Sequence, residues 1–288
     1  MEEESIQIIV AAHKPYPMPK DTIYLPLHVG AEGKKDKWGN ALDIGFAKDN
    51  TGEHISGKNS SYCELTGLYW AWKNLDSAYV GMAHYRRHFC YKRKNKNLFQ
   101  NIFTKKKKNR NSFEDILTAD EAGKLVSSYK VIVPEKRRYY IETLYSHYAH
   151  THYAGHLDKC REIIQEKYPR YIGAFDRVMR RTYGYMFNMM IMKKELLDAY
   201  CTWLFAILSA LEEADITPGL SFYQGRFYGR VSELLFNVWL TYQIDNGMIG
   251  KADIKEIGCV YTEKIDWKRK LASFLKAKFI HRRYEGSF

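Results

Sequence analysis

The sequence predicts an α/β fold, and three observations carry that expectation. Short apolar, often β-branched runs recur along the chain. Segments with apolar residues at helical spacing separate them. The loops between are polar and contain Gly or Pro, as crossovers between strands and helices require.

Residues 6–12 (IQIIVAA) are a continuous apolar run of the kind that both faces of a parallel sheet bury. Pro15 and Pro17 end it, and His13 and Lys14 lie just beyond it. A second short strand falls near 23–29, and the polar, Gly-rich stretch 34–58 reads as a long loop. A helix follows over about 60–73, with Leu65, Leu68, Tyr69 and Trp72 on one face. Ser61 and Glu64, three residues apart, make a capping-box pattern at its start. Residues 79–83 (YVGMA) read as a buried central strand that stops abruptly at His84-Tyr85-Arg86-Arg87. A helix over 116–129 and a strand over 130–134 come next, then a helical segment over 145–181. The apolar run 183–192 reads as another strand, with Asn188 alone and polar inside it. Residues 196–211 form a helix whose apolar positions are core. Gly225 to Glu233 opens a further helix through Tyr242, and 257–262 is strand-like.

At 288 residues and 45% hydrophobic content the chain can bury a large core. Its net charge of +12 calls for an anionic partner. The five cysteines are scattered without a C-x-x-C pair, which argues for reduced thiols and against a disulfide or zinc framework. The acidic start MEEES is not a secretory signal, and the longest apolar stretch, 199–211, is too short to span a bilayer. A cytoplasmic protein, at most peripheral to a membrane, is expected. His147, His150, His152 and His156 lie close together, but no H-E-x-x-H accompanies them, so they read as surface or channel histidines.

The strand end at 84–87 is the strongest chemical signal. Ligands of open α/β sheets bind beyond the carboxyl ends of the strands, and guanidinium forks suit phosphate oxygens. G-x-G-x-x-G after a strand, the P-loop pattern, G-x-S-x-G and the kinase signatures are all absent. The segments CELTGLYWAWKN, YVGMAHYRRHF, CREIIQEKYPRYIGAFDRVM, FNMMIMKKELLDAYCTWLF and GRVSELLFNVWL, in order over 62–242, resemble bacterial capsular and exopolysaccharide glycosyltransferases, a group that includes galactofuranosyltransferase domains. The resemblance implies a GT-A-like mixed, mainly parallel sheet flanked by helices, with a helical acceptor-side region. It also implies a UDP-sugar donor carrying a galactose-type sugar, and a glycan acceptor, often lipid-linked.

Many GT-A enzymes hold a divalent metal with Asp-x-Asp at a strand end, and this chain has no Asp-x-Asp. The charge that develops on a leaving diphosphate must then meet other cations. Arg86, Arg87, Arg226 and Arg230, with His84 and Tyr85, are the candidates, so a metal-independent reaction with no cofactor is expected. His84 or a distant carboxylate could still ligate an ion. An inverting transfer also needs a base beside the acceptor hydroxyl. Glu233, at the expected opening of a helix, is the candidate, and a favourable interaction with the helix dipole is its other explanation. His13, Lys14, Glu64 and Asn188 are secondary candidates for nucleotide or sugar contacts.

The expected organisation is one domain over 1–262 and a basic amphipathic tail over 263–288. Trp267, Leu271, Phe274, Leu275 and Phe279 recur in the tail at helical spacing among cations, as in a helix lying on an anionic membrane surface. The same stripe could instead pack on the domain. The basic stretch 91–111 keeps a nucleic-acid-binding protein open as a rival, although it lacks a recognition motif or an aromatic platform, so no nucleic-acid partner is expected. A non-catalytic polysaccharide-assembly scaffold is the third reading.

Overall fold

The computed structural model describes residues 4–91, 112–216 and 219–263. The basic stretch 92–111 and the amphipathic tail from 264 lie outside the described residues.

The strands are β1 (Ile6–Ala12), β2 (Tyr24–His28), β3 (Ala47–Lys48), β4 (Tyr79–His84), β5 (Arg87–Cys90), β6 (Val131–Pro134), β7 (Arg137–Arg138), β8 (Tyr183–Gly184), β9 (Met190–Lys193) and β10 (Ile254–Tyr261). The helices are α1 (Asn59–Tyr62), α2 (Leu65–Asn74), α3 (Ala119–Val126), α4 (Leu144–Thr151), α5 (Gly155–Lys167), α6 (Ile172–Met179), α7 (Lys194–Glu213) and α8 (Phe227–Asp245).

The main sheet has eight strands, with β3, β2, β1 and β4 parallel in that order. Strand β9 runs antiparallel between β4 and β6, and β10 runs parallel to β6. Strand β5 is antiparallel to both β10 and β4. The sheet is therefore mixed, as expected, but not mainly parallel: four of its strand pairings are parallel and four antiparallel. It differs from an open sheet in one respect: β4, β9, β6, β10 and β5 close on themselves through the pair His84↔Arg87. The cause is a tight reversal at Tyr85-Arg86, which sends the chain back as β5 where the sequence reading saw only a strand end. A separate two-stranded pair joins β7 and β8.

Core side chains of β1 alternate between the two faces of the sheet, as the pleat dictates. Ile9 and Ala11 pack with α2, α7 and α8, whereas Ile8 and Val10 pack with Leu125 and Val126 of α3. Both faces are covered, which explains why the run is apolar at nearly every position. Helix α3 is secured by a capping box: Glu121 N–H donates to Thr118 Oγ1 at 3.3 Å and Thr118 N–H to Glu121 Oε2 at 3.2 Å.

Three expected elements are broken where the backbone must turn. The helix over 60–73 splits into α1 and α2 at Cys63, whose φ is 56°. Ser61 Oγ donates to Lys58 O, so the Ser61–Glu64 capping box does not form and the Glu64 carboxylate is used elsewhere. The helical segment 145–181 is three helices, interrupted at His152 and at 168–171. The strand over 183–192 is two short strands around a turn at Phe187-Asn188.

Gly81 shows how tightly the centre is packed. A Cβ there would lie 2.9 Å from Ile191 Cγ1 and 3.0 Å from the Met190 carbonyl, which as backbone cannot swing aside. Gly81→Ala is expected to destabilise the fold by about 1–3 kcal/mol, measured as a lower urea midpoint with an unchanged denaturant slope.

Candidate functional site

The site lies where β4 exchanges one antiparallel partner for another. Residues Tyr79 to Met82 pair with β9, and His84 pairs with Arg87 of β5. The turn that precedes β9 fills the gap. Phe187 and Asn188 both have positive φ, 77° and 50°. Asn tolerates this region, whereas Phe adopts it at a cost that its surroundings must offset. One offset is a short hydrogen bond from His84 Nε2 to the Phe187 carbonyl at 2.5 Å. The carbonyl can only accept, so Nε2 carries the proton. Burial lowers the His84 pKa, and Arg87 adds to that against the opposing pull of Glu64. The ring is neutral at pH 7.

Asn188 is not inside a strand. Its buried amide Nδ2 donates to Glu64 Oε1 and to the Gly229 carbonyl, both at 2.8 Å, and its Oδ1 accepts from Ser232 Oγ at 2.9 Å. One side chain thus ties the start of α2 to the first turns of α8.

Glu233 does not open its helix. Helix α8 begins at Phe227, so Glu233 stands in the second turn, beyond the reach of the helix-dipole explanation. Its pKa is pushed up to about 7, chiefly by burial and then by the Glu64 carboxylate, against Arg87, Arg137 and the Phe187 N–H. Glu64 and Glu233 therefore lie in one electrostatic neighbourhood with Arg87, and Glu64 and Arg87 also act on His84.

The cations fall into three groups. The Arg87 guanidinium lies 4.0 Å from the Phe187 ring and 5.6 Å from that of Tyr261, beside Glu233. Arg86 and Lys14 sit over Tyr85, at 5.1 and 5.7 Å, and the His13 ring meets Tyr85 edge-on at 5.2 Å. Burial lowers the His13 pKa, followed by Lys14, Arg226 and Arg86, so these four groups share one neighbourhood. Arg86 is engaged by Glu263 at 2.6 Å, and Thr262 bonds the carbonyls of Tyr85 and Arg86. Arg226 Nε donates to Cys63 Sγ at 3.1 Å. Arg230 turns away: it donates to the Tyr223 carbonyl at 2.8 Å, covers the Tyr223 ring at 4.2 Å, and adds to burial in lowering the His152 pKa to about 3.

Sequence reasoning missed Arg137, Phe187 and Glu263. An adjacent arginine pair just after a strand, Arg137-Arg138, repeats the signal of Arg86-Arg87 and was the available clue to the first. The histidine group is dispersed. Glu142, 4% exposed, accepts from His147 Nδ1 at 2.7 Å and from His150 Nδ1 at 2.8 Å. His152 bonds Gln224, and His156 bonds the Tyr148 hydroxyl and stacks on Phe227. Among the described residues no three His, Cys, Asp or Glu side chains form a metal-binding group. No described helix is long and apolar enough to cross a membrane.

Residues 7–244 match the family model described as a domain of unknown function, DUF4422. The chain belongs to the DUF4422 family. No curated protein matches it. Among solved structures, this DUF4422 chain is similar to the apo structure of the WbbM bifunctional glycosyltransferase, with 28% identity and a TM-score of 0.76. The likeness covers 90% of this chain and 46% of the other, so the DUF4422 chain spans about half of that protein.

The raised Glu233 pKa gives a stability signature. A carboxyl whose folded pKa exceeds its unfolded value binds its proton more tightly in the folded state. Its contribution is present below about 4.5 and is lost as pH rises through about 7. The difference in unfolding free energy between wild type and Glu233→Gln should therefore shift in favour of the variant across that window, read by urea unfolding at a series of pH values. A flat difference would refute the raised pKa.

Proposed function

We propose that the chain is a glycosyltransferase of GT-A-like architecture that moves a galactose-type sugar, galactofuranose or galactopyranose, from a UDP donor to a glycan acceptor in surface-polysaccharide synthesis. The observation that carries this reading is a carboxyl, Glu233, held near pKa 7 among Glu64, Arg87 and Arg137. The likeness to a glycosyltransferase over 90% of the chain supports it, as does the parallel run β3-β2-β1-β4 with its functional end beside a reversed strand.

In this reading Glu233 takes the proton of the acceptor hydroxyl as its oxygen attacks the anomeric carbon. The bond from that carbon to the diphosphate breaks, and the electron pair leaves with UDP. A base with a pKa near the working pH combines a useful ionised fraction with useful basicity. Arg86, Arg87 and Arg226, with Lys14, His13 and Tyr85 nearby, meet the charge on the diphosphate. The carboxylate of Glu263 on Arg86 occupies the place of a phosphate oxygen, and the donor displaces it. His84, bonded to the Phe187 carbonyl, and Glu64, bonded to Asn188, contact the sugar in this reading; their position in the neighbourhood of Arg87 supports it. Arg230, turned toward Tyr223 and His152, serves the acceptor side rather than the diphosphate.

UDP is expected to raise the melting temperature without added metal, by linkage equivalent to about 2.7 kcal/mol at a hundredfold excess over its Kd. Stabilisation that needs manganese or magnesium and vanishes with chelator would show that the arginines do not suffice. Glu233→Gln should bind UDP normally yet slow transfer by about 10²-fold or more, and the wild-type rate should climb with pH through about 7. Near-normal transfer by the folded variant would remove Glu233 from the role of base.

A further inference from the structure

The sequence places Asn188 among the residues that could touch a sugar, yet its side chain has nothing left to offer one. It is 3% exposed. A primary amide carries two N–H donors, and both are taken, one by Glu64 Oε1 and one by the Gly229 carbonyl, each at 2.8 Å. Its oxygen accepts from Ser232 Oγ at 2.9 Å. The backbone around it is equally committed: φ is positive at both Phe187 and Asn188, and the Phe187 carbonyl accepts from His84. A turn kept at that cost for a side chain that meets almost no solvent holds something else in place.

What it holds is Glu64. The amide fixes Oε1 of that carboxylate, whereas Oε2 bonds none of the described residues. Glu64 is half-buried, so the second oxygen is not sealed inside the core. Its place along a chain of contacts indicates what it meets. The residue before it, Cys63, accepts from Arg226 Nε at 3.1 Å, and Arg226 belongs with the cations around His13. On the other side Asn188 leads to Ser232, and Glu233 is the next residue of α8. Glu64 thus stands between a guanidinium assigned to the diphosphate and the carboxyl assigned to the acceptor hydroxyl, and its charge acts on both. In such a transfer the group that lies between diphosphate and acceptor is the donor sugar.

We propose that Glu64 is a specificity-determining residue whose Oε2 accepts a hydrogen bond from a hydroxyl of the transferred hexose, and that Asn188 is its positioning residue. This rests on the glycosyltransferase reading. A carboxylate accepts and does not donate, so the site takes a sugar with a free hydroxyl at that position and discriminates against one in which the hydroxyl is missing or substituted. With Oε1 already fixed, less side-chain freedom remains to be lost when Oε2 binds.

The test is isothermal titration calorimetry on the full chain with UDP, UDP-galactopyranose, UDP-galactofuranose and UDP-glucose, then with the monodeoxy analogues of whichever sugar nucleotide binds wild type best. That sugar nucleotide should bind wild type about tenfold more tightly than UDP, the scale of one hydrogen bond to a charged group. Glu64→Gln has the same shape and keeps the bond from Asn188, so it should fold, bind UDP at least as tightly and lose that gain. Asn188→Gly suits the positive φ and leaves the carboxylate present but unheld, so it should lose most of the gain. Asn188→Asp, which cannot donate to Glu64, should act in the same direction. A role confined to folding would weaken UDP and the sugar nucleotide alike. One monodeoxy analogue should bind wild type about tenfold more weakly than its parent and bind Glu64→Gln as well as its parent does. If UDP binds but no sugar nucleotide exceeds it, if Glu64→Gln keeps the gain, or if every monodeoxy analogue loses the same factor in both proteins, Glu64 does not read the sugar. Folded Asn188 variants with the gain intact would remove Asn188 from the positioning role. Failure of UDP to bind wild type would instead overturn the donor reading, and the assignment of Glu64 with it.

Discussion

The structure turns on the edge of β4. A strand edge must find hydrogen-bond partners along its whole buried length, and this one finds two. Strand β9 serves it as far as Met82, and β5 serves it at His84. Between them the chain cannot continue as a ladder, so Phe187 and Asn188 turn through positive φ and present their groups to the gap. The Phe187 carbonyl meets His84, the Asn188 amide meets Glu64 and Gly229, and Ser232 completes the amide. Strain in the turn is thus offset by bonds that tie β4, α2 and α8 together.

That assembly sets the protonation states. Burial acts on His84 and Glu233 in the same sense, favouring the uncharged form of each. Glu64 reinforces this for Glu233 and opposes it for His84, while Arg87 does the reverse. The outcome is a neutral imidazole beside a carboxyl that titrates near neutrality, with permanent cations around them. None of these states belongs to a residue type alone. Each follows from which neighbours the turn brings within reach.

Much of the scaffold was legible in the sequence because periodicity is local. The run 6–12 is β1 as read, and the helices after 194 and 227 lie where their apolar spacing placed them. The abrupt end of the apolar run at His84 was also legible, and β4 ends there. What failed was interruption. Cys63, Phe187 and Asn188 sit inside apolar segments whose pattern does not register a single residue of positive φ, so Glu64 was read as a cap and Asn188 as a strand residue. Glu233 was expected to open its helix and instead lies in the second turn, because a 3-10 turn at Gln224–Arg226 runs directly into α8 without a side-chain cap.

The sequence by itself determined the alternation of strands and helices, the two-sided burial of the sheet and the surplus of cations beside one strand end. Those depend on residue type and spacing, which the chain carries with it. Tertiary structure alone decided that Glu64 and Glu233, 169 positions apart by their numbers, act on one another's charge. It alone turned Arg230 aside and set Glu263 on Arg86. Such pairings are fixed by contacts between distant segments, and a local pattern holds no record of them.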